Sequence, residues 1–317
     1  MAIRYEEACE GVAVFYLGDG THCSTVFALG TPDNYILIDS LTDPVVPELT
    51  EVMHAHGYKS GGGRALIVSH GHADHFGGAC RLSRYADCPV WAHPGSAFVI
   101  EDPDDYFAGR GSICRSDRRD AKDQLRHMIG EPVRVERLLR DGDTVDCPGL
   151  GSLDVHHMPG HERGLITLFE KRARLAFTGD LVQAGFDSGD NWLGLVPDPE
   201  RQQDSLARLK ALDPAMLFKG HRRHRVGDDI AKDIESSRCR VAAVCEALLE
   251  EIREVGELTL SQAVRAAFRR VLHREERAAA PYAGVTVNGA LCWLSRQGRI
   301  KLTHELTWRA WPGIEDG

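Results

Sequence analysis

Ser69-His70-Gly71-His72-Ala73-Asp74-His75-Phe76-Gly77-Gly78 places three histidines and an aspartate within six consecutive positions. That density of imidazole and carboxylate marks either a polar surface loop or a metal cage. The chain enters it through Ala65-Leu-Ile-Val-Ser69, which reads as a buried β-strand. If the backbone stays extended beyond Ser69, then His70, His72 and Asp74 share a parity and point one way. His75 has the opposite parity, and a turn into a helix at Phe76 would bring it to a neighbouring point. Gly77 and Gly78 let the backbone pass close by. Imidazole and carboxylate donors suit zinc first, and also iron or manganese.

Four such side chains fall short of what two ions need, because each takes about four donors. Further donors stand where other strand-like runs end: His161 in Met158-Pro-Gly-His161, Asp180 in Phe177-Thr-Gly-Asp180 and His221 in Phe218-Lys-Gly-His221. Each follows a glycine, and loops at strand ends are where rigid sheets carry sites.

The ordered set HxHxDH-Gly-Gly, PGH, TGD and GH resembles the metallo-β-lactamase-fold hydrolases, over residues 12 to 231. The resemblance implies an α/β fold, a four-layer αββα sandwich with two divalent metal ions at one edge. It assigns His70, His72 and His161 to one metal, Asp74, His75 and His221 to the other, and Asp180 to both. Asp39, closing Tyr35-Ile-Leu-Ile-Asp39, matches the family's first-motif aspartate, expected to orient a ligand histidine by a hydrogen bond. Two cations about 3.5–4 Å apart share a water and lower its pKa towards neutrality. Asp74 would bind metal and also hold the nucleophile's proton.

Two departures from the common pattern bear on the substrate. His161 is followed by Glu162-Arg-Gly164 in place of a small hydroxyl residue, and His221 by Arg222-Arg223-His224-Arg225 where many relatives have glycine. Arg222, Arg223 and His224 are candidates to hold a phosphate or carboxylate of a small-molecule substrate. The alternative is a solvated loop. Trp192 is either a pocket wall or core. His22, His54, His56, His93, His156 and His157 read as ordinary strand, surface or core histidines.

Around this set the chain looks like an ordinary globular protein, with 317 residues, 43% hydrophobic and 27% charged. The formal net charge of −9 argues against a broad nucleic-acid or anionic-membrane footprint. No segment approaches the roughly 18 apolar residues of a membrane span, and the N-terminus lacks the pattern of a signal peptide. Nine cysteines without a CxxC read as reduced thiols, which points to the cytoplasm. Residues 96 to about 130 are charged with little apolar periodicity, a solvated excursion or a lid over the site.

From residue 232 the character changes, which divides the chain into a catalytic domain 1–231 and a second domain 232–317. Helical spacing of Val241, Cys245, Leu248, Ile252 and Val255, a capping box at Thr259-Leu-Ser-Gln262, a third helix Thr286–Leu294 and a hairpin from Arg299 to Trp308 outline a small α+β winged-helix-like unit. It resembles the appendage of β-lactamase-like protein 2 relatives, some of which cleave single-stranded RNA. The third helix carries no Lys or Arg between Val285 and Leu294, and residues 232–317 hold 13 Lys+Arg against 12 Asp+Glu. Packing, closing a pocket or forming a homodimer is therefore expected over DNA reading. The leading expectation is a dinuclear hydrolase of a thioester, ester or lactone. A phosphodiesterase or endoribonuclease on the same metals is the alternative, and a metal-sensing winged-helix binding protein is third.

Overall fold

Alternation within the early strands sets the layering. In β2 (Val12–Gly18), Val12, Val14 and Tyr16 face one core while Ala13 and Phe15 face another. The same division runs through β3 (Cys23–Thr31), β4 (Asn34–Ile38) and β5 (Gly63–Val68), where Phe27, Ile36 and Ile67 part from Val26, Leu37 and Leu66. Both faces are apolar, so both must be covered. The computed structural model describes residues 2–18, 23–104, 125–183, 193–273 and 282–310. Among these, β1 (Ile3–Cys9) through β5 continue into β6 (Val90–Ala92) and β7 (Val135–Leu138) as one seven-stranded sheet in sequence order.

The second sheet has the order β13-β12-β11-β10-β9-β8. It is built from β8 (Thr144–Cys147), β9 (Gly151–His157), β10 (Ile166–Glu170), β11 (Leu175–Phe177), β12 (Met216–Phe218) and β13 (Arg225–Val226). Phe27 from the first sheet meets Phe177 and Phe218 from the second at ring separations of 5.4 and 5.6 Å. Burying each such side chain contributes about 1.5–3 kcal/mol. Helices α1 (Val46–Ala55), α3 (Ala79–Ala86) and α4 (Pro94–Glu101) cover the first sheet through Leu49, Met53, Leu82 and Val99. On the other side α5 (Pro199–Ala211) and the start of α6 (Asp228–Val255) cover the second through Leu206, Leu209, Ile230 and Ile234. The layers are therefore α, β, β and α, as the motifs implied.

The C-terminal region adds α7 (Leu260–Val271), α8 (Ala283–Arg296) and a sheet of order β14-β16-β15, from β14 (Glu257–Leu258), β15 (Ile300–Leu302) and β16 (Trp308–Ala310). Its core joins Leu248, Ile252, Phe268, Val287, Leu291 and Trp308. The capping box at Thr259 and Gln262 is formed in both directions.

Several local expectations differ from what is found. The hairpin gains a third strand, β14. The 231/232 division falls inside α6, which runs unbroken from one core into the other. Residues 96–101 are the body of α4 and bury Ala97, Val99 and Ile100, so this part of the charged excursion is core. Residues 105–124, the middle of the stretch read as a solvated excursion or a lid, lie outside the described residues, as does Trp192. The described cysteines are free thiols. Among the described residues no helix is long and apolar enough to cross a membrane.

Candidate metal centre

Strand direction brings the donors to one edge. Strands β4 and β5 are parallel, as are β11 and β12, and β9 runs alongside β11 through the antiparallel β10. Asp39 follows β4, His70 and His72 follow β5, His161 follows β9, Asp180 follows β11 and His221 follows β12. The two sheets are stitched together here. Ile166 N–H donates to the Ser69 carbonyl at 2.9 Å, and Thr25 N–H to that of Gly220 at 3.0 Å. Asp74 and His75 arrive on a single helical turn, α2 (Ala73–Phe76). That turn begins three residues earlier than expected, because His72 takes the extended conformation of an N-cap. Asp74 is therefore delivered by helix geometry and not by strand parity.

Three groups of donors converge: His70, His72 and His161; His70, His75 and Asp180; and Asp74, His75 and His221. All seven proposed ligands are thus brought together. His70 Nε2 and His161 Nε2 each lie 2.9 Å from His72 Nδ1. Two neutral nitrogens at that separation need either a shared proton or a shared cation. The far nitrogens decide where the ring protons sit. His161 Nδ1 donates to the Leu195 carbonyl at 2.8 Å. His70 Nδ1 faces Ser69 Oγ at 3.0 Å, and that hydroxyl donates to Asp39 Oδ2 at 2.8 Å. His75 Nδ1 donates to Asp39 Oδ2 at 2.8 Å. His221 Nδ1 lies 3.3 Å from both the Cys23 carbonyl and Ser24 Oγ. In each case Nε2 is the ring nitrogen that faces inwards.

The electrostatics agree. Burial, reinforced by neighbouring imidazoles, holds His70 and His72 well below the usual histidine range, and burial lowers His161 as well. These rings are therefore held neutral, the form that can ligate a metal. Burial also works against charge on His75 and His221, but Asp180 and Asp74 outweigh it. They raise His75 well above its usual value and His221 to about 10. The carboxyls of Asp74 and Asp180 resist the burial that would raise them and are held low, chiefly by His75 and His221. A field that draws protons to two imidazoles also holds a cation. His75 Nε2 is buried without a hydrogen-bond partner, 3.5 Å from Asp180 Oδ1 and 3.7 Å from Asp74 Oδ2. The residues therefore fit divalent metal ions, by donor type and by the orphaned inward nitrogen.

Gly220 shows how tightly the cage is built. A Cβ there would stand 2.4 Å from Asp180 Oδ1 and 2.5 Å from His75 Cε1. The open side is set by exposure: the side chains of Asp74 and His221 are 31% and 37% accessible, while Asp180 is at 9% and His75 at 1%. The cage therefore opens to solvent on the side of Asp74 and His221.

The substrate candidates are less concentrated. His224 Nδ1 lies 3.3 Å from the Tyr16 hydroxyl, and the Arg223 guanidinium is 6.0 Å from the same ring. Both turn back onto β2. Arg222 sits next to His221 in a left-handed conformation, φ 72°, with its N–H on the Cys23 carbonyl. Arg225 is committed to Asp233 at 2.9 Å. His93 and His157 stack on each other and His56 stacks on Tyr5, and none of the three is in the converging groups.

Other contributors had no motif to mark them. Ser69 links Asp39 to His70. Gln183 holds residue 195 from both sides, with Nε2 donating to the Leu195 carbonyl at 2.8 Å and Oε1 accepting its N–H at 2.7 Å. Glu162 is buried, with burial raising its carboxyl pKa, and accepts hydrogen bonds from Gly164 N–H and Ser96 Oγ. Its position after His161 was the only signal it offered.

The comparisons with known proteins agree with this geometry. The model of the Metallo-beta-lactamase superfamily matches residues 18–221. The chain is 35% identical over 129 residues to a protein named acyl-coenzyme A thioesterase from Gallus gallus, covering 40% of this chain and 44% of that one. It is 25% identical over 238 residues to a probable metallo-hydrolase of Bacillus subtilis, covering 67% and 84%. Uncharacterized mycobacterial proteins match at 34% over 123 residues, and the chain spans about half their length. A solved metallo-beta-lactamase family protein from Thermus thermophilus superposes with a TM-score of 0.75 at 17% identity, covering 96% of this chain and 100% of that one. Converging imidazoles at the edge of an αββα sandwich and a family match spanning most of that sandwich lead to one statement: the chain belongs to the metallo-β-lactamase superfamily.

Proposed function

We propose that this chain is a metal-dependent hydrolase of thioesters, acting through a dinuclear site. The observation that carries the reading is the set of inward-facing ring nitrogens beside Asp74 and Asp180, with every outward ring nitrogen except that of His72 held by a partner. His70, His72 and His161 would hold one ion, Asp74, His75 and His221 the other, and Asp180 both. Zinc is the first choice for that donor set. When bound, such a pair supplies an acidified water and Lewis acidity towards a carbonyl oxygen.

The chain's own groups do the rest. Asp39 fixes the proton of His75 on Nδ1, and Leu195 fixes that of His161. Asp74 is the carboxylate at the open side, so its oxygens are placed to take the proton released as the nucleophile forms. Arg222, next to His221 in the chain, is the candidate to meet an anionic group on the substrate, since Arg223 turns back onto Tyr16. The names of two relatives support a thioester. The Gallus gallus protein is called an acyl-coenzyme A thioesterase, and a Bdellovibrio bacteriovorus relative at 27% identity over 154 residues is called hydroxyacylglutathione hydrolase.

The test is metal analysis of the purified protein followed by a panel of acyl-thioester, lactone, phosphodiester and RNA substrates. Two bound ions per chain and thioester turnover abolished by Asp180→Asn are expected. Turnover confined to RNA or phosphodiesters would replace the substrate class, and full activity in His70→Ala would remove the mechanism.

A further inference from the structure

We propose that Thr286, on α8 of the C-terminal region, is a positioning residue for the metal centre. The inference rests on the metal-site reading above. The acceptor for the His161 Nδ1–H is the carbonyl of Leu195 at 2.8 Å, and Gln183 Nε2 lies 3.0 Å from the same nitrogen. That carbonyl lies on no strand or helix: residues 193–196 are an irregular buried segment. Irregular backbone needs outside partners for its polar groups, and the structure shows which ones it has.

Gln183 brackets Leu195 itself. Thr286 brackets the two neighbours. Its Oγ1 donates to the Gly194 carbonyl at 2.7 Å and accepts from Val196 N–H at 3.0 Å. Thr286 is 3% exposed, so no solvent competes for either bond. One helical turn on, Gly289 lets α8 approach: a Cβ there would stand 2.5 Å from the Pro197 carbonyl oxygen and 3.0 Å from that of Val196. Leu193, at the start of the segment, packs into the C-terminal core with Val287 and Leu291. The segment that aims His161 is therefore held by Gln183 at Leu195 and by α8 on either side of it.

Thr286→Val keeps the shape and removes both hydrogen bonds. The Gly194 carbonyl and Val196 N–H are then buried and unpaired, which the segment can relieve only by moving. Any such movement displaces the Leu195 carbonyl between them. Losing the outer partner of a ligating histidine typically costs 10–100-fold in metal affinity. Because Thr286 acts one step removed, the expected loss is about tenfold, confined to the ion held by His161. Thr286→Ser keeps the hydroxyl and should bind as wild type.

The experiment titrates full-length wild type, Thr286→Val and Thr286→Ser with zinc chloride against a chromophoric chelator, resolving the two affinities. In parallel, 15N-histidine spectra of the zinc-loaded proteins follow the His161 Nδ1–H. A selective loss at one ion, faster exchange of that proton and recovery in Thr286→Ser are expected. Unchanged affinities in Thr286→Val, or equal weakening of both ions alongside lowered thermal stability, would overturn the assignment. Should Thr286→Val fail to fold, Gly289→Ala in the same titration decides, with the same selective loss expected and an unchanged pair of affinities fatal. Wild type that takes up no zinc would bring down the metal-site reading itself, and this inference with it.

Discussion

Asp39→Asn tests the cage from a buried corner. Asp39 Oδ1 accepts Ser69 N–H at 2.7 Å, while Oδ2 accepts both Ser69 Oγ at 2.8 Å and His75 Nδ1 at 2.8 Å. The residue sits at φ 64°, a conformation asparagine tolerates well, so the backbone is preserved. The amide keeps one acceptor for Ser69 N–H and puts an NH2 where two donors already point. His75 must then move its proton to Nε2, the nitrogen that faces the cage. The cost to the ion held by His75 is about 10–100-fold in affinity, or about 1.4–2.7 kcal/mol. Fold stability should drop by a further 1.5–3 kcal/mol or so for the lost charge-assisted bond. Chelator competition reads the first quantity, and urea unfolding of chelator-treated protein reads the second. The ion held by His70, His72 and His161 should be weakened less, since Ser69 alone connects it to Asp39. Two affinities identical to wild type would refute the tautomer argument on which the cage rests.

Three further outcomes are expected. Gly220→Ala inserts a methyl group between Asp180 and His75, an overpacking worth about 1–3 kcal/mol, and should abolish uptake of at least one ion; normal metal content would contradict the contact geometry. Asp233→Asn leaves the ammonium of Lys219, 1% accessible and 2.5 Å from Asp233 Oδ2, without its carboxylate. That should cost about 3–5 kcal/mol in urea unfolding, and a smaller loss than Lys219→Met would count against the pairing. His93 Nδ1 accepts Gly95 N–H as the N-cap of α4, and burial together with His157 lowers its pKa to about 4. The unfolded chain binds the proton more readily between about 4 and the usual 6.5. This contribution is therefore complete above pH 6.5 and is lost as pH falls towards 4. Solvent reaches the ring, so the term is about 1 kcal/mol. His93→Asn, which still caps, should flatten that part of the pH profile in chelator-treated protein, and an unaltered slope would refute it.

The converging donors were legible because His70, His72, His161, Asp180 and His221 sit in short motifs just after strands, and Asp74 and His75 follow on the turn α2. The strands were legible where alternation or continuous burial marked them, as in β2 and β5. Local signals failed where a partner decides the structure. β1 has Arg4, Glu6 and Glu7 along an edge strand, so its pattern looks unlike the buried strands. β14 has two residues and exists because Trp308 pairs with Leu258. The start of α2 turns on His72, whose identity gives no capping signal. Arg223 and His224 looked like substrate residues from their charge alone, yet Tyr16, more than two hundred positions away, lies against them in the fold. The hydrogen bonds of Gln183 and Thr286 to residues 194–196 are likewise invisible in a string of letters.

Helix α6 spans 28 residues, about 42 Å at 1.5 Å per residue. Its first turns carry Ile230, Asp233 and Ile234 into the outer wall of the sandwich, and its later turns give Val244, Leu248 and Ile252 to the C-terminal core. A girder shared by two rooms cannot be sawn at the doorway. Proteolysis or truncation near residue 232 would strip apolar faces from both sides at once, so the halves should melt in a single transition and be inherited as one unit.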